Sequence, residues 1–150
     1  MKNVFFVLSI LSILTFSCNR NSKIEKKVQK EGITFMESET FQTVLERAER
    51  ENKLVFLDMY TDWCMPCKMM DEDVFPDKEL GEFMDKNFIS YKSNAEKGNG
   101  VTLATIFNVR YYPTLLFLDT KGHELERKEG AMFHREIREM AKRALSSEGM

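Results

Sequence analysis

The chain has 150 residues and a mass of 17.6 kDa, enough for one domain of ordinary size. Apolar types make up 43% and charged types 31%, which places it among globular rather than disordered chains, and the formal net charge of −2 gives no general attraction to nucleic acid, whose binding is dominated by cationic contacts to phosphate. Seven Gly and three Pro exclude collagen-like and low-complexity classes, and three Cys are too few for a disulfide-scaffold protein.

The first 17 residues contain 11 apolar side chains and one charge, Lys2. Lys2 forms a short positive region and Val4 to Leu14 an apolar run of eleven residues broken by two serines. That is the pattern of a secretory signal, too short for a membrane span of ~20 apolar residues. Without this segment one positive charge and no carboxylate is lost, leaving 21 Lys and Arg against 24 Asp and Glu, a formal −3. The run ends in Leu14-Thr15-Phe16-Ser17-Cys18. This end resembles a bacterial lipoprotein signal, in which a small residue precedes the cysteine that receives diacylglycerol. Ser17 and Cys18 match, while Leu14 stands one residue earlier than the usual leucine. The resemblance implies a signal peptide over 1–17 and lipidation at Cys18. An incidental thiol behind an ordinary signal peptide and an uncleaved N-terminal anchor are the alternatives. Residues 18–31 are polar, lack a core-forming stripe and read as a tether to a domain over 32–150.

Ile33-Thr34-Phe35-Met36 reads as a short strand. Phe41, Val44, Leu45 and Ala48 recur at helical spacing and predict an amphipathic helix over 40–51, stopped by Asn52-Lys53. Leu54 to Tyr60 is a nearly continuous apolar run, as expected of a central strand covered on both faces. A helix is predicted from Cys64 to Phe75, ending before Pro76, and Asp77 is placed to cap a further helix carrying Leu80, Phe83 and Met84. Strands follow at 88–91 and 114–118, with a loop at Gly98 and Gly100 and a helix over 101–107 between them. Asp119 to Gly122 predicts a hairpin turn into an edge strand over 125–129. A last helix places Phe133, Ile137, Met140, Ala141 and Ala144 on one face. This order predicts an α/β domain with a mixed central sheet, part parallel and part hairpin, flanked by helices.

Trp63-Cys64-Met65-Pro66-Cys67-Lys68 follows the buried strand and opens a helix. Residues at i and i+3 share a helix face, so both sulfurs can meet. Cys64 falls at the helix N-terminus, where free backbone N–H groups and the dipole favour a thiolate. Cys67 lies one turn inside and is expected to be shielded, with Cys64 at the exposed end. Pro66 is tolerated because first-turn N–H groups lack intrahelical partners. Lowering a thiol pKa from ~8.5 to ~7 takes only ~2 kcal/mol and converts a few per cent of thiolate into about half. A zinc site is the rival reading, but it wants four Cys or His ligands and only His123 and His134 remain, without paired spacing. They read as a turn residue and a surface residue. A purely structural disulfide would constrain little of the unfolded chain.

With the WCxxCK motif and this order of elements, the chain resembles the thioredoxin superfamily over roughly residues 33–145. Within it the chain is most similar to the C-terminal thioredoxin-like domain of the bacterial transmembrane thiol:disulfide interchange reductase. Leu57-Asp58-Met59-Tyr60-Thr61-Asp62-Trp63-Cys64 resembles that domain's approach to its active site, and Tyr111-Tyr112-Pro113-Thr114-Leu115 the family's cis-proline loop. The resemblance implies a thioredoxin-like fold. It implies that Cys64 is the nucleophile and Cys67 the resolving cysteine. Asp58 becomes the buried carboxylate that assists proton transfer at Cys67. Trp63 packs beside the dithiol, Met65 and Pro66 form its exposed dipeptide, and Pro113 with the Tyr112 backbone receives the substrate chain. Lys92 matches a lysine that pairs with the buried carboxylate, with a solvated lysine as the alternative. The chain departs from the family in having Met-Pro where Gly-Pro is usual, and Asp71-Glu72-Asp73 where a proline usually kinks the helix. Met59, Met65, Met69 and Met70 cluster around the motif.

The function implied is thiol:disulfide exchange without cofactor or metal, in the reductive direction or as an electron relay. Its partners would be protein disulfide substrates and a membrane or periplasmic thiol donor protein. Its place would be the bacterial cell envelope, lipid-anchored and facing the periplasm. The reading from another class is a non-catalytic thioredoxin-fold binding or chaperone-like module.

Overall fold

The computed structural model describes residues 31–36 and 39–148. The expected signal peptide, Cys18 and all but the last residue of the tether lie outside them.

Strand β1 (Phe35–Met36) is followed by helix α1 (Phe41–Glu51). Thr40 caps α1 by accepting from the Thr43 N–H at 3.2 Å, and Asn52, at φ 51°, ends it in the left-handed region that Asn tolerates. Strand β2 (Leu54–Tyr60) leads to helix α2 (Met65–Met69), which runs directly into a π-helical turn over Met70–Val74. Helix α3 (Lys78–Asn87) is capped by Asp77, whose Oδ1 accepts from the Leu80 N–H at 2.7 Å. Strand β3 (Phe88–Asn94), helix α4 (Asn99–Ile106), strands β4 (Thr114–Leu118) and β5 (Glu124–Glu129), and helix α5 (His134–Glu148) complete the order.

The five strands form one sheet in the order β1-β3-β2-β4-β5. β1 and β2 run parallel to β3, and β4 lies antiparallel to both β2 and β5. The expected mixed sheet is therefore present, with β2 at its centre.

Side-chain alternation splits the core in two. Leu54 and Phe56 face a cluster with Phe75, Leu80, Met84 and Phe117, covered by the π turn, α3 and α5. Val55, Leu57 and Met59 face Val44, Ala48 and Leu103 beneath α1 and α4. Each such fully buried side chain contributes roughly 1.5–3 kcal/mol. The same alternation puts Asp58 on the face of Leu54 and Phe56, in an apolar core.

Four expectations are corrected. The helix of residues 64–75 is not uniformly α-helical. β3 runs three residues beyond Tyr91, because Lys92, Ser93 and Asn94 pair with Asp58, Met59 and Tyr60. The helix expected to begin at Val101 begins at Asn99, with Gly98 at φ 50° turning the chain into it. Phe133 is not on the buried face of α5: it precedes the helix and is exposed, and its N–H donates to Glu136 Oε2 at 2.8 Å, a Glu-to-cap contact that starts the helix. Met132 is buried in its place.

Candidate active site

Cys64 and Cys67 are joined in a disulfide, with their Cα atoms 5.3 Å apart. Cys64 is the N-cap of α2, and its Sγ accepts from the Cys67 N–H at 3.2 Å. Pro66 stands in the first turn as its missing N–H allows. The expected exposure of Cys64 is not met in this oxidised form: Cys64 is 3% exposed and Cys67 2%. The Cys64 sulfur turns inward to close the ring, so what separates the two cysteines is their place on the helix and not their accessibility.

Exposed residues surround the buried disulfide. Met65 and Pro66 lie open to solvent between the cysteines. Trp63 is 63% exposed. Its indole N–H donates to Glu96 Oε1 at 3.0 Å, and its ring meets Tyr112 edge-on at 5.8 Å. Glu96 was not foreseen; it follows β3, whose end is tied to this loop. The Asn94 side-chain amide donates to Asp62 Oδ1 at 2.7 Å, Lys97 pairs with the other oxygen of Asp62, and the Ala95 N–H donates to the Tyr60 carbonyl at 2.8 Å. The Tyr112–Pro113 bond is cis, as the resemblance implied. The Pro113 carbonyl is held by the Gly130 N–H at 2.8 Å and the Tyr111 carbonyl by the Thr114 hydroxyl at 2.7 Å.

Asp58 is buried, and Lys92 is its register partner on β3. Side chains of paired strand residues lie on one face within reach of each other. The Lys92 Nζ stands 3.5 Å from Asp58 Oδ2. Lys92 is itself only 9% exposed, so the solvated alternative does not hold. Its ammonium lies 4.7 Å from the Tyr60 ring centroid, 5.4 Å from that of Phe75 and 5.8 Å from that of Phe35. It is also directly hydrogen-bonded to Asp71, in the π turn. Asp58 Oδ1 has no hydrogen-bond partner among the described residues. Burial pushes the Asp58 carboxyl up to about 6, opposed by Lys92 and reinforced by the charge of Asp71.

His123 and His134 are exposed, and His123 pairs with Asp119 across the β4–β5 turn at 2.7 Å. Among the described residues no cluster of His, Cys, Asp and Glu could hold a metal ion.

A family model described as a thioredoxin-like domain matches residues 41–145. Over 78 residues, 51% of this chain and 14% of the relative, the sequence is 35% identical to the Thiol:disulfide interchange protein DsbD of Citrobacter koseri. The chain thus spans about a seventh of the length of the curated relatives it matches first. A candidate disulphide-isomerase from Bacteroides thetaiotaomicron, solved in solution, is 39% identical, with a TM-score of 0.69 over 79% of this chain and 98% of its own. Thioredoxin f from spinach chloroplast is 27% identical, with a TM-score of 0.59 over 76% of this chain and 94% of its own.

Proposed function

The chain belongs to the thioredoxin-like family and its domain is a thiol–disulfide oxidoreductase; on that premise we propose that the protein works as a reductase or electron relay for disulfides of exported proteins. The observation that carries the assignment of roles is the Cys67 N–H aimed at the Cys64 sulfur from inside the same helical turn. In the reduced protein that donor and the helix N-terminus both favour the Cys64 thiolate.

The reaction then runs in two exchanges. The Cys64 thiolate attacks one sulfur of the substrate disulfide, forming a mixed disulfide and releasing the other sulfur as a thiolate. The Cys67 thiol gives its proton to the Asp58 carboxylate. The resulting Cys67 thiolate attacks Cys64 Sγ, closing the Cys64–Cys67 disulfide and releasing the second substrate sulfur. Two electrons have passed from dithiol to substrate. A donor dithiol protein of the membrane or periplasm returns them. Trp63, Met65, Pro66, Tyr112 and the cis Pro113 form the rim against which the substrate chain lies, with Tyr112 offering main-chain hydrogen bonds. Cys18 carries a lipid anchor that holds the domain at the periplasmic face of the envelope, and residues 18–31 are its tether.

The roles of the cysteines are tested by trapping. Cys67→Ser should accumulate stable mixed disulfides with exported proteins, since attack proceeds and resolution cannot. Cys64→Ser should trap few. Alkylation of the reduced protein at pH ~6–7, where an ordinary thiol is mostly protonated, should label Cys64 well ahead of Cys67. Trapping by Cys64→Ser alone, or faster alkylation of Cys67, would reverse the assignment.

A further inference from the structure

We propose that Asp71, held in the π turn that follows the active-site helix, is a positioning residue that draws Lys92 away from Asp58 and so keeps Asp58 a stronger base than its pairing with Lys92 alone would leave it. The proposal rests on the reading of Asp58 as proton acceptor from Cys67.

The geometry comes from two departures in the chain. An α-helix continued through residues 70–74 would set its donors against carbonyls four residues back. Here the Phe75 N–H instead reaches the Met70 carbonyl at 2.8 Å, five residues back. Such single π turns widen the helix locally and recur at functional sites. The widened turn carries Asp71, Glu72 and Asp73. Of these three only Asp71 reaches the sheet, and it does so through Lys92.

The three charged groups form a line from solvent to core. Asp71 is 41% exposed at its side chain, Lys92 9% and Asp58 1%. They sit beside an open cavity of about 370 Å³ lined by Glu31, Ile33, Phe35, Tyr60, Phe75 and Pro76 together with Asp71 and Lys92. The groups facing Lys92 are thus the carboxylates of Asp58 from β2 and Asp71 from the π turn, and the rings of Phe35, Tyr60 and Phe75. Glu31 is the remaining acid of the cavity wall. Asp58 is faced by Lys92 from β3 and by Leu115, its register partner on β4. One ammonium therefore serves two carboxylates, and it lies closer to the exposed one. Asp71 acts on Asp58 in two ways with the same sign. It competes for the cation, and its own negative charge disfavours a second one nearby.

The sign of the effect gives the test. In Asp71→Asn, Lys92 belongs to Asp58 alone, and Asp58 should hold its proton less tightly. The midpoint of Asp58, followed by the ¹³C shift of its carboxyl in the full chain, should fall by about half a pH unit or more. The single-turnover rate of mixed-disulfide resolution should follow it. Below the wild-type midpoint the variant resolves faster, because more of its Asp58 is ionised. Above pH ~7 it resolves severalfold more slowly, because the base is weaker. A merely damaged helix would slow both limbs. Asp71→Glu should restore both the midpoint and the profile, and Glu72→Gln, on the same turn, should change neither. An unmoved or raised Asp58 midpoint in Asp71→Asn overturns the proposal. Failure of the underlying reading looks different: Asp58→Asn would then leave resolution unchanged, while the carboxyl shift in Asp71→Asn would still decide whether Asp71 governs Asp58.

Discussion

At neutral pH the Asp58 carboxyl, pushed up to about 6 by burial, is mostly ionised inside an apolar face of the sheet, with Lys92 as a shared counter-charge. This has a consequence for stability whose sign is opposite to that of an ordinary salt-bridged acid. An unfolded aspartate titrates near 4. Between pH ~4 and ~6 the native state binds a proton that the unfolded state has released, so stability falls as pH rises through that window, and the full penalty applies above it. Asp58→Asn removes the charge and keeps the shape, while Lys92 retains Asp71. We expect it to raise the unfolding free energy at pH 7.5, by on the order of 2 kcal/mol, and to lose that gain by pH 4. Urea denaturation of the oxidised protein at several pH values checks this. A gain independent of pH, or a loss at pH 7.5, would contradict the placement of the charge. The residue proposed to take the Cys67 proton is thus expected to be one that the fold would be more stable without.

At the level of elements, β2, β4, α1 and the Asp77 cap were legible in the sequence, because an unbroken apolar run, a 3.6-residue period and a capping residue each act locally. Cys64 and Cys67 were legible for the same reason: their spacing and their place after a buried strand need no tertiary information. Lys92 was legible only through the resemblance, since the predicted strand stopped at Tyr91 and nothing in the sequence shows that Phe35, Tyr60 and Phe75 close around it from three different segments. Asp71 was noticed only as an acid where a proline was expected. Its contact depends on a π turn, which shifts the helical register by one residue, and no periodicity in the sequence announces that. The close approach of two glycines was equally hidden. A Cβ on Gly81 of α3 would stand 2.2 Å from the Gly32 carbonyl carbon, backbone against backbone. Neither chain can give way as a side-chain end would. Gly81→Ala should therefore cost about 1–3 kcal/mol, against a change within ~0.5 kcal/mol for Glu82→Ala on the exposed side of the same helix. The midpoint of denaturant unfolding measures both, and equal effects would mean that α3 does not pack on Gly32 so tightly.

On the scale of the whole molecule, the exposed Trp63 and Met65 stand beside the disulfide, and no helix among the described residues is long and apolar enough to cross a membrane. In the proposed function the link to the membrane is Cys18. Fourteen residues, 18–31, extended at ~3.4 Å each, reach at most about 50 Å. A lipid on Cys18 would confine the dithiol to a shell of that thickness, where a membrane-bound partner is met at an effective concentration on the order of millimolar. Such an anchor would change encounter and leave chemistry alone. Cys18→Ser, made in the full chain, should reduce a soluble disulfide such as insulin at the rate of the parent. Against vesicles whose phospholipid headgroups carry a disulfide, the parent, bound to the same vesicles, should be faster by tenfold or more at submicromolar protein, and the variant should show no such advantage. Mass spectrometry of the parent extracted from membranes should find diacylglycerol on an N-terminal Cys18. Equal rates on the vesicles, or a mature chain beginning elsewhere with Cys18 unmodified, would remove the anchor from the mechanism and leave the dithiol, Asp58 and Asp71 as they stand.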